Sequence, residues 1–252
     1  MGYVYAIANQ KGGVGKTTTT VNLAACIAET GRQTLVVDLD PQCNATVTLG
    51  LDREARPSTY DTLCGDVSIA EAARPTATDN LWVVPANRDL AGAAVELPGL
   101  EHSEYRLREG LGPVRERFAA TFLDCPPSLG PITVNALAAA DRVVVPVQAE
   151  YLALEGLVQF LDTLQTVRRQ LNPGLVLTGI AITMADDRTR LSQDVEHELK
   201  EHFTELVLET VVPRSVRLAE APSFGVPVIS HAPESRGSVA YRALAAEVLA
   251  RG

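Results

Sequence analysis

Residues 11–18 read Lys-Gly-Gly-Val-Gly-Lys-Thr-Thr. Closely spaced glycines let a backbone curl tightly and accept φ > 0. Successive N–H groups in such a curl make a nest for an anion, which a helix opening at the turn reinforces. The chemistry this implies is phosphate binding by Lys11, Gly12, Gly13, Val14, Gly15, Lys16, Thr17 and Thr18. Lys16 reaches the β- and γ-phosphates of a nucleotide, and the Thr17 hydroxyl ligates Mg²⁺. The usual pattern has Gly five residues before the Gly of Gly-Lys-Thr. Gln10 stands there, so the loop is a deviant form. Lys11 is surplus to one such site and points to a second subunit. The chain holds only three lysines, Lys11, Lys16 and Lys200, against nineteen arginines, and two of the three sit in the loop.

Three carboxylates complete the chemistry. Asp124 closes the apolar stretch 121–123. There it could hold Mg²⁺ opposite Thr17, directly or through water, or cap the turn Asp124-Cys125-Pro126-Pro127. Asp38 and Asp40 end another apolar stretch, one residue apart. On an extended chain they point to opposite sides, so they do not share one task. Phosphoryl transfer to water depends on positioning and charge stabilisation. Asp40 is assigned to position the water, with Lys11 and Lys16 as its catalytic companions, and Asp38 takes a supporting metal or water-shell role. The structural alternative for both aspartates is a turn built on Asp-Pro.

The elements needed to position these groups alternate along the chain. Strands are expected at residues 3–8, 33–37, 81–84, 121–123, 142–145 (stopping at Pro146), 175–183 and 208–212. Helices are expected at 17–30, 154–171, 191–203 and 238–250, and residues 52–80 show no readable pattern. Such alternation predicts an α/β fold of the deviant phosphate-loop type, a mostly parallel, doubly wound sheet with helices on both faces, in a single domain over 1–252. Ligands then lie beyond the carboxyl ends of the strands, where every acidic motif falls.

Composition removes several function classes. A net charge of −9 over 252 residues argues against a general nucleic-acid coat, though not against a local basic patch. No apolar run reaches the length of a membrane span, and no basic segment followed by an apolar one opens the chain. Cys26, Cys43, Cys64 and Cys125 are scattered, which suits reduced thiols in a cytosolic protein. The four histidines show no metal-like spacing.

The loop 11–18, the turn Asp38-Leu39-Asp40-Pro41-Gln42, the run Asp124-Cys125-Pro126-Pro127-Ser128 and the late segment 213–223 together resemble the ParA/Soj chromosome-partitioning ATPases. The resemblance spans nearly the whole chain. It implies an ATP-dependent sandwich homodimer in which Lys11 reaches the partner's nucleotide, and slow hydrolysis with Asp40 activating water. It also implies that Pro213, Arg214 and Val216 hold the adenine. Non-specific binding of the dimer to double-stranded DNA, and stimulation by a ParB/Spo0J-like centromere-binding protein, are implied as well. Basic residues matching the family's DNA face are Arg188 and Arg217, with Arg190, Arg214 and Arg236 as contributors. Each would neutralise a phosphate rather than read a base. The resemblance places the protein in the cytoplasm, on the nucleoid.

Three rivals share the loop. A MinD-like membrane ATPase needs a basic amphipathic C-terminal extension, and residues 238–250 carry little positive charge. An iron–sulfur reductase needs cysteines gathered at a dimer axis, and only Cys125 lies near the loop's acidic partner. A ParA-like ATPase positioning another cargo shares every motif and differs only in its partner. Plasmid-type relatives with an N-terminal DNA-reading domain are not expected, because the loop begins at residue 11.

Overall fold

In the computed structural model, residues 2–150, 153–186 and 188–251 are described, the side chains of residues 153–155 excepted. Seven strands form one sheet: β1 (Tyr3–Ile7), β2 (Thr34–Asp38), β3 (Arg74–Pro75), β4 (Leu81–Val84), β5 (Ala120–Asp124), β6 (Arg142–Gln148) and β7 (Val176–Thr183). Their order is β3-β4-β2-β5-β1-β6-β7, and all pairs are parallel except the short edge pair β3–β4. The strands are apolar throughout because both faces are covered, as a parallel sheet requires. Alternate residues serve opposite cores. Tyr5, Ile7, Val36, Phe122 and Val144 pack beneath helix α1 (Lys16–Glu29) and the C-terminal helix Arg236–Ala250. Val4, Ala6, Leu35, Leu123 and Val143 pack against the helices Pro131–Ala139 and Ala153–Gln170.

Register decides where the acidic groups stand. Ile7 and Asp38 are both partners of Asp124 across the central strands, so β1, β2 and β5 end level. The loop that leaves β1 therefore passes directly over two carboxylates. Residues 3–8, 17–30 and 81–84 anticipated their elements closely; three other expectations need correction.

β6 runs through Pro146 rather than stopping before it. The β1–β6 ladder ends at Val144, and the Pro146 carbonyl accepts from Asn9 Nδ2 instead, so the missing proline N–H costs no ladder bond. Residues 208–212 do not form a strand; among the described residues, isolated bridges flank them at Ile180–Val207 and Ala185–Pro213. Leu208 N donates to Ile180 O and Val212 N to Ile182 O, so four residues of chain run against two of β7. The surplus bulges out and stops the ladder. The unreadable stretch 52–80 contains the short helices Thr59–Leu63 and Ile69–Ala72, each opened by a capping box, Ser58 with Asp61 and Ser68 with Glu71. That Ser-x-x-acid signal was present in the sequence.

Candidate nucleotide-binding and active site

Between β1 and α1 the chain turns on Gly13 (φ 75°) and Gly15 (φ 83°). Gly15 is the N-cap of α1, and no side chain caps that helix. Its first N–H groups therefore face the strand ends without a side-chain partner, a ready anion site. The cleft in front of them has a volume of about 330 Å³, and Gly12, Gly13, Lys16, Thr17, Asp40 and Gln42 are among its lining residues. Lys16 is only 7% exposed, and its Nζ donates to the Lys11 carbonyl at 3.0 Å. Burial depresses its basicity, and the charges of Asp124, Cys125 and Asp40 oppose that effect. A buried ammonium facing a polar cleft is suited to an incoming anion.

The carboxylates do different work. Asp38 is fully buried, and its Oδ2 accepts from the Thr46 N–H (2.8 Å) and hydroxyl (2.7 Å). Its Oδ1 accepts from the Asp40 N–H at 3.1 Å. Burial raises its pKa to about 6, against the pull of those donors. Asp124 accepts from the Thr20 hydroxyl on Oδ1 at 3.1 Å, while its Oδ2 is buried without a hydrogen-bond partner. Burial and the nearby Asp38 charge hold its pKa well above the usual carboxylate range; Thr17 and Thr20 donors pull it back. A buried carboxylate oxygen without a donor, beside a threonine hydroxyl, fits a divalent cation. Asp124 and Thr17 thus meet the requirement, whereas most of Asp38 is spent on Thr46 and Asp40. Asp40 lines the cleft, 7% exposed, with Oδ1 accepting from the Gln42 N–H at 2.9 Å.

Lys11 does not line this cleft. Its Nζ lies 3.8 Å from Glu150 Oε2, and its side chain is 33% exposed. The Asn9 side chain accepts from the Lys11 N–H and donates to Pro146, tying the start of the loop to β6.

Beyond Gly15 and Thr18 the cleft opens into a mainly apolar pocket of about 240 Å³, lined by Met184, Val212, Pro213, Arg214, Leu218 and Tyr241 among others. An apolar lining of this kind suits a nucleotide base. Pro213 and Arg214 line it as expected, but Val216 does not: it is 72% exposed and faces a neighbouring cleft. One residue after a helix cap, its side chain is turned away from the pocket that Leu218 and Ala219 reach. Met184, Leu218 and Tyr241 were not anticipated. They come from distant parts of the chain, and the only prior signal was that Met184 is the single methionine besides Met1.

The neighbouring cleft, about 350 Å³, gathers Arg188, Arg214 and Arg236 with Asp186. Asp186 chelates the Arg188 guanidinium, Nε to Oδ1 at 2.8 Å and Nη2 to Oδ2 at 2.7 Å, which lowers the Asp186 pKa to about 2. Asp187 lies outside the described residues. Arg190 and Arg217 are not part of this cleft; Arg190 opens the helix Arg190–Phe203, and Arg217 pairs with Glu220 at 2.8 Å.

Residues 2–177 match the family model described as an AAA domain. The sporulation initiation inhibitor protein Soj of Bacillus subtilis strain 168 is 49% identical over 253 residues, covering 100% of both chains. The chromosome-partitioning ATPase Soj of Thermus thermophilus is 54% identical, covering 98% of this chain and 95% of its own. The chain belongs to the ParA/Soj family of chromosome-partitioning ATPases. Among solved structures, a Mycobacterium smegmatis protein described as cobyrinic acid a,c-diamide synthase, with an ATP analogue and magnesium bound, superposes with a TM-score of 0.87. It is 40% identical, covering 99% of this chain and 95% of its own.

The C-terminal helix Arg236–Ala250 buries Tyr241, Leu244, Ala245 and Val248 against the core, so its apolar face is already used. No helix among the described residues is long and apolar enough to cross a membrane. Cys125 is buried, its thiol pushed far up by burial and Asp124, and among the described residues no three or more His, Cys, Asp or Glu side chains gather as a metal cluster.

Proposed function

We propose that this chain is an ATP-dependent dimeric switch that binds double-stranded DNA non-specifically and hydrolyses ATP slowly, acting in DNA segregation with a ParB/Spo0J-like partner on the nucleoid. The observation that carries the dimer is the position of Lys11: it starts the phosphate loop yet stands outside its own phosphate cleft, partly exposed and paired with Glu150. A lysine so placed can serve a nucleotide held by a second copy. Without the γ-phosphate two such loops repel; with it they share an anion.

ATP is received by the backbone of residues 12–18, with Lys16 at the β- and γ-phosphates and the base in the pocket of Met184, Pro213 and Leu218. Thr17 and Asp124 would hold Mg²⁺, which neutralises phosphate charge. Asp40, fixed by Gln42 and by Asp38 through its own N–H, orients the attacking water. Asp38 is a positioning residue for Asp40 rather than a direct metal ligand. DNA phosphates are met by Arg188, Arg214 and Arg236, with Arg190 and Arg217 at the margin.

The test is ATP hydrolysis with and without DNA and a ParB-like protein, alongside dimer mass by light scattering. Stimulation by both, and an ATP-trapped dimer in Asp40→Ala, are expected. DNA binding that ignores ATP and salt would overturn the reading.

A further inference from the structure

Met184 has a left-handed backbone, φ 53°, in a residue type that rarely accepts it. Such a conformation persists only where its surroundings over-determine it. Here they do so on both sides. Before it, the Thr183 hydroxyl lies within hydrogen-bond reach of Val14 O (2.9 Å) and Val147 O (3.3 Å), anchoring it to the phosphate loop and β6. After it, Ala185 N donates to Val212 O at 3.1 Å and Ala185 O accepts from Arg214 N at 2.9 Å.

The side chain occupies the junction that this backbone creates. Gly15, Thr18 and Met184 are the residues common to the phosphate cleft and the base pocket. The Met184 methyl stands 3.5 Å from where a Cβ on Gly15 would be. A nucleotide that fills both chambers must therefore pass against it. Two residues further on, Asp186 grips Arg188 at the wall of the basic cleft, and Arg214, bonded to Ala185, lines both that cleft and the base pocket.

We propose that Met184 is the positioning residue through which nucleotide occupancy is conveyed to the basic cleft of Arg188, Arg214 and Arg236. A long, unbranched thioether adapts to a ligand without being expelled by it. Thr183 fixes the backbone on the loop side, so whatever shift the side chain cannot absorb is taken up on its other side, at Ala185 and so at Asp186 and the Arg214 bonded to Ala185. The inference rests on the proposed nucleotide site and gives it a direct path to the DNA face.

The test uses the full chain, Mg²⁺ and a non-hydrolysable ATP analogue, without DNA. Hydrogen exchange is followed at residues 185–186 and 212–214. In the unaltered protein the analogue slows exchange there by about fivefold or more. Met184→Ala is expected to bind the analogue more weakly and, with every site filled at saturating analogue, to lose most of that response. Met184→Leu, which keeps the bulk, is expected to restore it. As a second readout, the methyl of Met184, one of only two methionine methyls in the chain, is expected to shift in the NMR spectrum on analogue binding. The same methyl is expected to shift when a short DNA duplex is added to the loaded protein. An undiminished exchange response in Met184→Ala, or loss of nucleotide binding together with the response, would overturn the proposal. Failure of the unaltered protein to bind the analogue would instead overturn the proposed function, so the two failures are separable.

Discussion

Thr46 shows how much one hydroxyl can hold in this site. It donates to Asp38 and accepts from the Ala86 N–H, both buried. Thr46→Val keeps the shape and strips both bonds, so a loss of about 2–3 kcal/mol in urea unfolding is expected. The Asp38 carboxyl also sets a pH dependence. Its folded pKa, near 6, lies above the ordinary carboxylate value, so the folded state holds that proton more tightly than the unfolded one. Its contribution is fully present below the unfolded value and is lost as pH rises through about 6. Asp124 shifts in the same direction. Nucleotide-free protein is therefore expected to melt at lower temperature at pH 7.5 than at pH 5.5, checked by calorimetry without Mg²⁺. Asp40 has another role: Asp40→Ala is expected to retain nucleotide binding while turnover falls by ~10²-fold or more in a phosphate-release assay.

At the scale of elements, the segment linking β7 to the helix Arg190–Phe203 both presents and restrains the basic cleft. Asp186 holds Arg188 in a bidentate pair, which a DNA phosphate bound as proposed would have to displace. Exposed pairs of this kind are weak, so the exchange is feasible. Asp186→Asn is expected to tighten DNA binding and Arg188→Ala to reduce its salt slope by about 1 in a fluorescence titration. An unchanged slope in Arg188→Ala would remove that arginine from the DNA face. Helix α1 and the C-terminal helix form a second unit: Tyr241 and Thr19, the residue directly after the phosphate loop, share a buried hydrogen bond at 3.1 Å. The C-terminal helix thus buttresses the helix that opens at the phosphate loop.

For the whole molecule, charge and symmetry act together. Each chain carries a net −9, so two copies repel at long range, and the proposed dimer would need ATP to give Lys11 a shared anion. Lys11→Ala is expected to bind ATP yet remain a monomer by light scattering, whereas Lys16→Ala is expected to lose nucleotide binding itself. A dimer in Lys11→Ala with ATP would refute the role in trans. The proposed dimer would double a small basic cleft on a chain of net negative charge, so DNA binding is expected to be weak, steeply salt-dependent and conditional on ATP.

How much was legible beforehand followed from distance along the chain. The phosphate nest is local: eight consecutive residues carry the glycines, the lysine and the threonine, and backbone chemistry alone makes them bind an anion. Asp38, Asp40 and Asp124 were legible because each ends an apolar stretch, and parallel strands end together at a site. Residues 208–212 misled because their apolar run says nothing of the two-residue surplus that breaks the ladder. The tertiary structure alone decided which carboxylate keeps a free oxygen, because register sets Asp124 between its neighbours while Thr46 claims Asp38. It also turned Val216 out of the apolar pocket beside the phosphate loop, brought Met184, Leu218 and Tyr241 into it, and set Lys11 against Glu150. Those outcomes depend on contacts between residues far apart in sequence, which packing creates and no local pattern encodes.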